Sequence, residues 1–237
     1  MTAHTLSAVL WDMDGTLVDT EPLWLRTQHA MLERYGLEMT AELHRSLIGS
    51  GLWDAAEGFR RLGVPLSADE IVAEQVAGVA AGIEDRGLVW RPGARELLGS
   101  LREAGVPCAL VTMSVRSLAE QVAALLPEGT FSAIVAGDEV DHEKPHPQPY
   151  LLGAEALGAP IERCLAFEDS PTGLRSATAA GAVAIGVPNL LPLGEAPAHA
   201  LFETLDGVDA AAVRRAFAEL RGGASPSEDL TFEEAAL

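Results

Sequence analysis

Lysine is scarce in this 237-residue chain, cysteine occurs twice, and aromatic residues make up only 5% of it. Each shortage excludes something. Cys108 and Cys164 lie in apolar stretches without metal-ligand spacing, so both read as small buried hydrophobes rather than a thiolate metal centre. Basic residues number 16 against 35 acidic ones, a net charge of −19, and no Lys/Arg cluster occurs. That balance argues against a nucleic-acid groove and requires any anionic substrate to meet a metal or a local positive charge. It also makes Lys144 conspicuous. No apolar run is long enough to span a bilayer, and Asp12 and Asp14 interrupt the only early apolar stretch, leaving no secretory leader pattern. A cytoplasmic protein without a membrane partner is expected, as a monomer or weak homodimer. The apolar fraction of 48% describes a folded chain, and its length suffices for one domain or two.

What is present begins with Leu6 to Thr16, LSAVLWDMDGT. Ser7 to Trp11 reads as a buried strand of a parallel sheet, too short for a helix and free of polar residues. Asp12 and Asp14 follow at its C-terminal end, where open α/β sheets place their ligands. Two nearby carboxylates repel, and call for a divalent cation or a shared proton. Period-two spacing keeps them on one side only if the strand continues; a turn at Gly15 would redirect them.

Helical segments then follow at Pro22–Tyr35, Ala41–Ile48, Trp53–Leu62 and Ser67–Ile83, the last opened by a Ser67/Glu70 capping box. With no strand-like run between Thr20 and about Gly87, residues 20–87 read as an inserted helical cap. From Trp90 the pattern alternates. Helices are expected over Pro92–Ala104, Val115–Leu126, Pro147–Leu157, Pro171–Ala180 and Ala210–Leu220, and strands over Val106–Val111, Ala133–Ala136, Arg163–Phe167 and Ala182–Val187. Such βα units imply a doubly wound, mostly parallel, Rossmann-like sheet, with residues 1–19 and 88–221 forming an α/β core. Residues 222–237, rich in Gly, Ser, Pro and acids without a base, read as a disordered acidic tail.

Polar residues collect at the C-terminal ends of the strands: Asp12 and Asp14, Thr112 and Ser114, Asp138, then Glu168 and Asp169, with Lys144 in a nearby loop. Their shared edge is the argument for a single anion and metal site.

The set Asp12-Met13-Asp14-Gly15-Thr16, Thr112, Lys144-Pro145 and Glu168-Asp169-Ser170-x-x-Gly173 resembles the haloacid dehalogenase-like hydrolases, in the subgroup with a helical cap after the first strand. The resemblance covers about Leu6 to Val187 and implies a core strand order of 5-4-1-2-3. It implies a Mg²⁺-dependent phosphatase on a small phosphorylated metabolite, with Asp12 as nucleophile and Asp14 as general acid and base. Thr112 would bind a phosphoryl oxygen and Lys144 would contact both nucleophile and phosphoryl group. Mg²⁺ would be held by Asp12, the backbone carbonyl of Asp14, and the Glu168-Asp169 pair. Gly15, Met113, Ser114, Trp24 and Glu21 are the substrate-binding candidates. The chemistry agrees, because a carboxylate attacks a phosphate dianion only once charge is neutralised, and an oxygen-rich site suits Mg²⁺.

A dehalogenase of this family needs no second carboxylate, so Asp14 counts against one. A phosphonatase needs a cap lysine, and Leu17 to Val89 contains none. A β-phosphoglucomutase is the alternative reading; resemblance to it implies a histidine after the first motif and an arginine and lysine in the cap for a second phosphate. Trp24 stands in the histidine's place and Leu52 or its neighbours in the arginine's, leaving His29, His44, Arg45 and Arg60 as substitutes. Trp53 joins Trp24 as a cap aromatic able to face substrate. His142 and His146 flank Glu143, but Pro145 and Pro147 rule out a helical metal motif there.

Overall fold

The strand β1 (Ala8–Trp11) has every side chain buried. In the computed structural model, which describes residues 5–40, 43, 44, 47, 51–190 and 192–222, it lies at the middle of the main sheet. The chain leaves it through a short ribbon strand, β2 (Val18–Asp19), into the helices α1 (Glu21–Arg34), α2 (Leu52–Leu62) and α3 (Ala68–Arg86). It returns through β3 (Val89–Trp90), which pairs antiparallel with β2. The two chain crossings are thereby tied together. Neither two-residue strand carries a pattern that sequence could show. The helices have their own apolar centre in Met31, Leu32, Phe59, Ile71 and Val72. The Ser67/Glu70 capping box that opens α3 is present in full. The helix expected at Ala41–Ile48 lies outside the described residues, apart from Leu43, His44 and Leu47.

The rest of the chain alternates: α4 (Ala94–Glu103), β4 (Cys108–Val111), α5 (Arg116–Ala123), β5 (Ala133–Val135), α6 (Gln148–Ala156), β6 (Cys164–Glu168), α7 (Pro171–Ala180), β7 (Val183–Gly186), β8 (Ala200–Leu201) and α8 (Ala210–Arg221). The sheet order is β5-β4-β1-β6-β7-β8, all parallel. Its first five strands in sequence have the expected order 5-4-1-2-3. The short β8 extends it by one edge strand, which the sequence reading did not anticipate.

Period-two alternation explains the two layers of helices. Val9 and Trp11 face an apolar cluster built with Leu97 and Leu101 of α4, Leu118 of α5, and Phe217 of α8. Ala8 and Leu10 face the other cluster, with Tyr150 of α6 and Leu174 of α7. Leu23, Trp24, Val79 and Ile83 of the helical insert join the first cluster, so the insert packs on the core rather than standing free of it. Gln121 Nε2 of α5 also donates to the carbonyl of Ala80 at 3.1 Å.

Most boundaries shift by one to three residues from expectation, as at the end of α3, which runs to Arg86 rather than Ile83, and the start of β4, at Cys108 rather than Val106; two shifts have a visible cause. Helix α4 begins at Ala94, after a turn at Gly93, and not at Pro92. Helix α5 stops at Ala123 because its end tightens into three-residue bonds ahead of Pro127, Leu125 N–H to Val122 O and Leu126 N–H to Ala123 O. The expected tail lies outside the described residues beyond Gly222. No described helix is long and apolar enough to cross a membrane.

Candidate active site

The connections reverse direction between β1 and β6, and the crevice at that switch point holds the acidic residues. Asp12 leaves the end of β1 and is 7% exposed; Glu168, the last residue of β6, is fully buried. With Asp169 they form a group whose oxygens lie within 4.8 Å of one another. Lys144, the sole lysine of the chain, reaches into this group. Its ammonium donates to Asp12 Oδ1 at 2.8 Å, Glu168 Oε1 at 2.7 Å and the Val111 carbonyl at 2.9 Å.

Asp14 parts company with Asp12. The strand ends at Trp11, and Gly15 turns the chain at φ 90°, a left-handed conformation that a Cβ would oppose. A Cβ there would also lie 2.0 Å from Asp169 Oδ2, so the turn needs glycine twice over. Thus the Asp14 side chain stands outside the acidic group. It accepts hydrogen bonds from the hydroxyl of Thr20, from Ser114 Oγ at 2.8 Å and Thr112 Oγ1 at 3.3 Å, and a longer one from Trp24 Nε1 at 3.5 Å.

Glu168 is placed by the motif that follows it. Ser170 caps α7 by accepting from Gly173 N–H at 2.9 Å, and its own hydroxyl donates to Glu168 Oε2 at 3.0 Å. The Tyr150 hydroxyl donates to Glu168 Oε1 at 2.7 Å. Both Glu168 oxygens are therefore engaged within the protein. Adjacent in sequence, Glu168 and Asp169 thus have different surroundings, and only Asp169 lines the cavity.

The electrostatics follow from burying three acids with one base. Burial, and then the charge of Glu168, push the Asp12 carboxyl up to about 7. Burial, with Asp12 and Glu168 beside it, holds Asp169 well above the usual carboxylate range. Burial works to lower the Lys144 pKa, but Asp12 and Glu168 outweigh it and keep the ammonium above its ordinary value. The group is short of positive charge, and its donors are all oxygens. That is the chemistry of a hard divalent cation site.

A cavity of about 180 Å³ opens over these residues, between the core and the helical insert. Asp12, Asp14, Thr112, Lys144 and Asp169 line it, as do all five substrate-binding candidates, Gly15, Met113, Ser114, Trp24 and Glu21. Glu21 is held by His44 Nε2 at 2.8 Å. Other candidates fall elsewhere. Trp53 donates to Asp69 Oδ1 at 2.9 Å and Arg60 pairs with Glu57 at 2.7 Å, neither in the cavity wall. His29 is exposed, and Arg45 lies outside the described residues. His142 and His146 pack against each other in a tilted pair, 4.5 Å between centroids, and neither belongs to the acidic group.

Several residues escaped the sequence reading. Thr16 Oγ1 donates to Asp12 Oδ2 at 2.9 Å and lies 3.4 Å from Asp169 Oδ1; it belongs to the first motif, so its signal was present. Asn189, past the C-terminal end of β7, hydrogen-bonds Asp169 and obeys the same edge rule as the others. Thr20, Gln28 and Tyr150 carried no separate signal.

A buried lysine among carboxylates at the switch point of a doubly wound sheet, roofed by an inserted helical layer, defines an α/β hydrolytic enzyme built on aspartates. The family model for haloacid dehalogenase-like hydrolases matches residues 6–181, and the chain belongs to that family. It is 32% identical over 185 residues to a phosphorylated carbohydrates phosphatase of Thermotoga maritima, covering 74% of this chain and 82% of the relative. It is 35% identical over 193 residues to hexitol phosphatase A of Escherichia coli, covering 75% and 81%. Among solved structures, CbbY of Rhodobacter sphaeroides in complex with phosphate superposes with a TM-score of 0.79 at 28% identity, covering 87% of this chain and 98% of that one.

Proposed function

We propose that the chain is a Mg²⁺-dependent phosphatase of small phosphorylated sugars or polyols, working through a phosphoaspartate on Asp12. The observation that carries this reading is the division between Asp12, held by Lys144 and Thr16 within the acidic group, and Asp14, held by hydroxyls on the cavity side. The named activities of the two phosphatase relatives support the substrate class.

In this reading Asp12 attacks phosphorus while Lys144 and Thr112 balance charge on the phosphoryl oxygens. Asp14 gives its proton to the departing sugar oxygen, then takes one from the water that releases phosphate. Asp12, Asp169 and the Asp14 carbonyl would hold Mg²⁺, while Glu168, with both oxygens occupied, orients Lys144. The cation, when bound, supplies further neutralisation of phosphoryl charge. Residues 20–87 act as the cap that excludes water and shapes the substrate end of the cavity. The two buried free cysteines, Cys108 and Cys164, suit a reducing, cytoplasmic setting. Among the described residues, the cap side of the cavity carries no lysine or arginine.

Inorganic phosphate release from p-nitrophenyl phosphate and from a hexitol phosphate, with Mg²⁺ or with EDTA, tests it. Release is expected only with Mg²⁺ and is abolished by Asp12→Asn. Activity undiminished by EDTA, or by Asp12→Asn, overturns it.

A further inference from the structure

Gln28 is 9% exposed, lines the cavity, and keeps its amide open to it, since that amide is not among the buried polar atoms left without a partner. Water satisfies such an amide, and a substrate that fills the cavity must replace the hydrogen bonds of the water it displaces. It lies on one stripe of α1 with Glu21 and Trp24, at spacings of three and four residues, so the three side chains share a helix face. Trp24 marks the chemical end of that stripe, since its indole N–H points to Asp14. Gln28 stands one turn farther along, roughly 6 Å up the helix axis.

The rest of the described cap wall is Leu47, Gly51, Leu52 and Ala55, with Glu21 already engaged by His44. Among the described residues, that wall presents apolar surface, one carboxylate and one neutral amide. Among these described residues, an acid group on the distal end of a substrate would meet the Glu21 carboxylate, itself paired with His44. A hydroxyl would meet an amide able both to donate and to accept.

We propose that Gln28 is the specificity residue of this site: it reads a hydroxyl, more than one carbon from the phosphoester oxygen, on a neutral polyhydroxylated substrate. The inference rests on the phosphatase reading and adds to it the group that selects the substrate. A hydroxyl-bearing substrate satisfies the buried amide, and one lacking it leaves the amide unpaired, a difference that hydrogen-bonding sites convert into selectivity.

The test compares the wild type with Gln28→Met, which keeps side-chain length, on sorbitol 6-phosphate, 2-phosphoglycolate and ethyl phosphate, which has no group that reaches the amide. Loss of the hydrogen bond is expected to lower kcat/KM for sorbitol 6-phosphate about tenfold more than kcat/KM for ethyl phosphate. An unchanged far-ultraviolet circular dichroism spectrum and Tm show that the variant is folded. The wild type is expected to favour sorbitol 6-phosphate over 2-phosphoglycolate. An equal loss on sorbitol 6-phosphate and ethyl phosphate, no loss on either, or equal wild-type rates on the hydroxylated and carboxylated esters overturns the inference and leaves the phosphatase reading standing. No phosphate release by the wild type from any of the three overturns the phosphatase reading itself, and this inference with it.

Discussion

Lys144 Nζ lies 2.8 Å from Asp12 Oδ1, a contact between residues 132 apart in sequence. The ammonium is 5% exposed at its side chain and is also bound to Glu168. Being the chain's only lysine, it can be followed without ambiguity.

Amine acylation should therefore spare it. Treatment of the folded protein at mildly alkaline pH is expected to label the N-terminus and leave Lys144 unmodified, because burial blocks the reagent and the two carboxylates keep the amine protonated. In denaturant, Lys144 becomes reactive. Peptide mass mapping of both samples checks this, and acylated Lys144 from the native protein contradicts it.

Asp14 and Asp169 should separate by variant. Asp14→Ala is expected to lower turnover by roughly 10²–10⁴-fold, the usual loss of a general acid and base. Its side chain is outside the acidic group, so Mg²⁺ affinity should stay near that of the wild type. Asp169→Ala should weaken Mg²⁺ binding. Titration calorimetry alongside steady-state kinetics distinguishes the two, and equal losses of affinity would place the Asp14 carboxylate in the cation site.

Mg²⁺ should stabilise the protein more at high pH than at low. The Asp12 carboxyl ionises near 7 in the folded chain against an ordinary 3.8, so between those values the folded state holds a proton that the unfolded state has lost. Stability without metal therefore falls, through this group, as pH rises from about 4 to about 7. A cation binds the ionised form and removes that cost. The Mg²⁺-induced rise in Tm is expected to be larger at pH 8 than at pH 5, measured by differential scanning calorimetry. A rise that is equal at both, or larger at pH 5, counts against the acidic group as the cation site.

Gly51 of the cap stands close against the Glu143 side chain of the loop that carries Lys144. Gly51 caps α2 at φ −63°, which any residue adopts, yet a Cβ there would lie 1.8 Å from Glu143 Oε2, next to Lys144 in sequence. Gly51→Ala must therefore displace the Glu143 carboxylate, the tip of a flexible side chain. Its kcat/KM is expected to fall by no more than about threefold, and Gly51→Ala combined with Glu143→Ala is expected to show no further loss beyond Glu143→Ala alone, since the obstructing side chain is gone. Purely additive losses would show that the two positions do not interact.

Much of this site was legible before any coordinates. Asp12, Asp14, Thr112, Lys144 and Asp169 declare themselves because parallel strands end at one edge, and polar residues just beyond apolar runs must gather there. The order of the first five strands and the inserted helices were equally plain, since buried strands and Gly- or Pro-bounded helices have local signatures. The ribbon of β2 and β3 had none, being two residues long on each side.

What tertiary structure decided is direction. The spacing of Asp12 and Asp14 left open whether they act on one side, and the turn at Gly15, wedged against Asp169, separates them. Glu168 and Asp169 are adjacent in sequence, but Tyr150 and Ser170 occupy the first while the second lines the cavity. Trp24 and Trp53 were equivalent by composition; one reaches Asp14 and the other binds Asp69 on the cap. Sequence determines which residues arrive at the sheet edge, because periodicity and chain breaks are local properties. Which way each side chain then points depends on partners many residues away, and only packing brings those together.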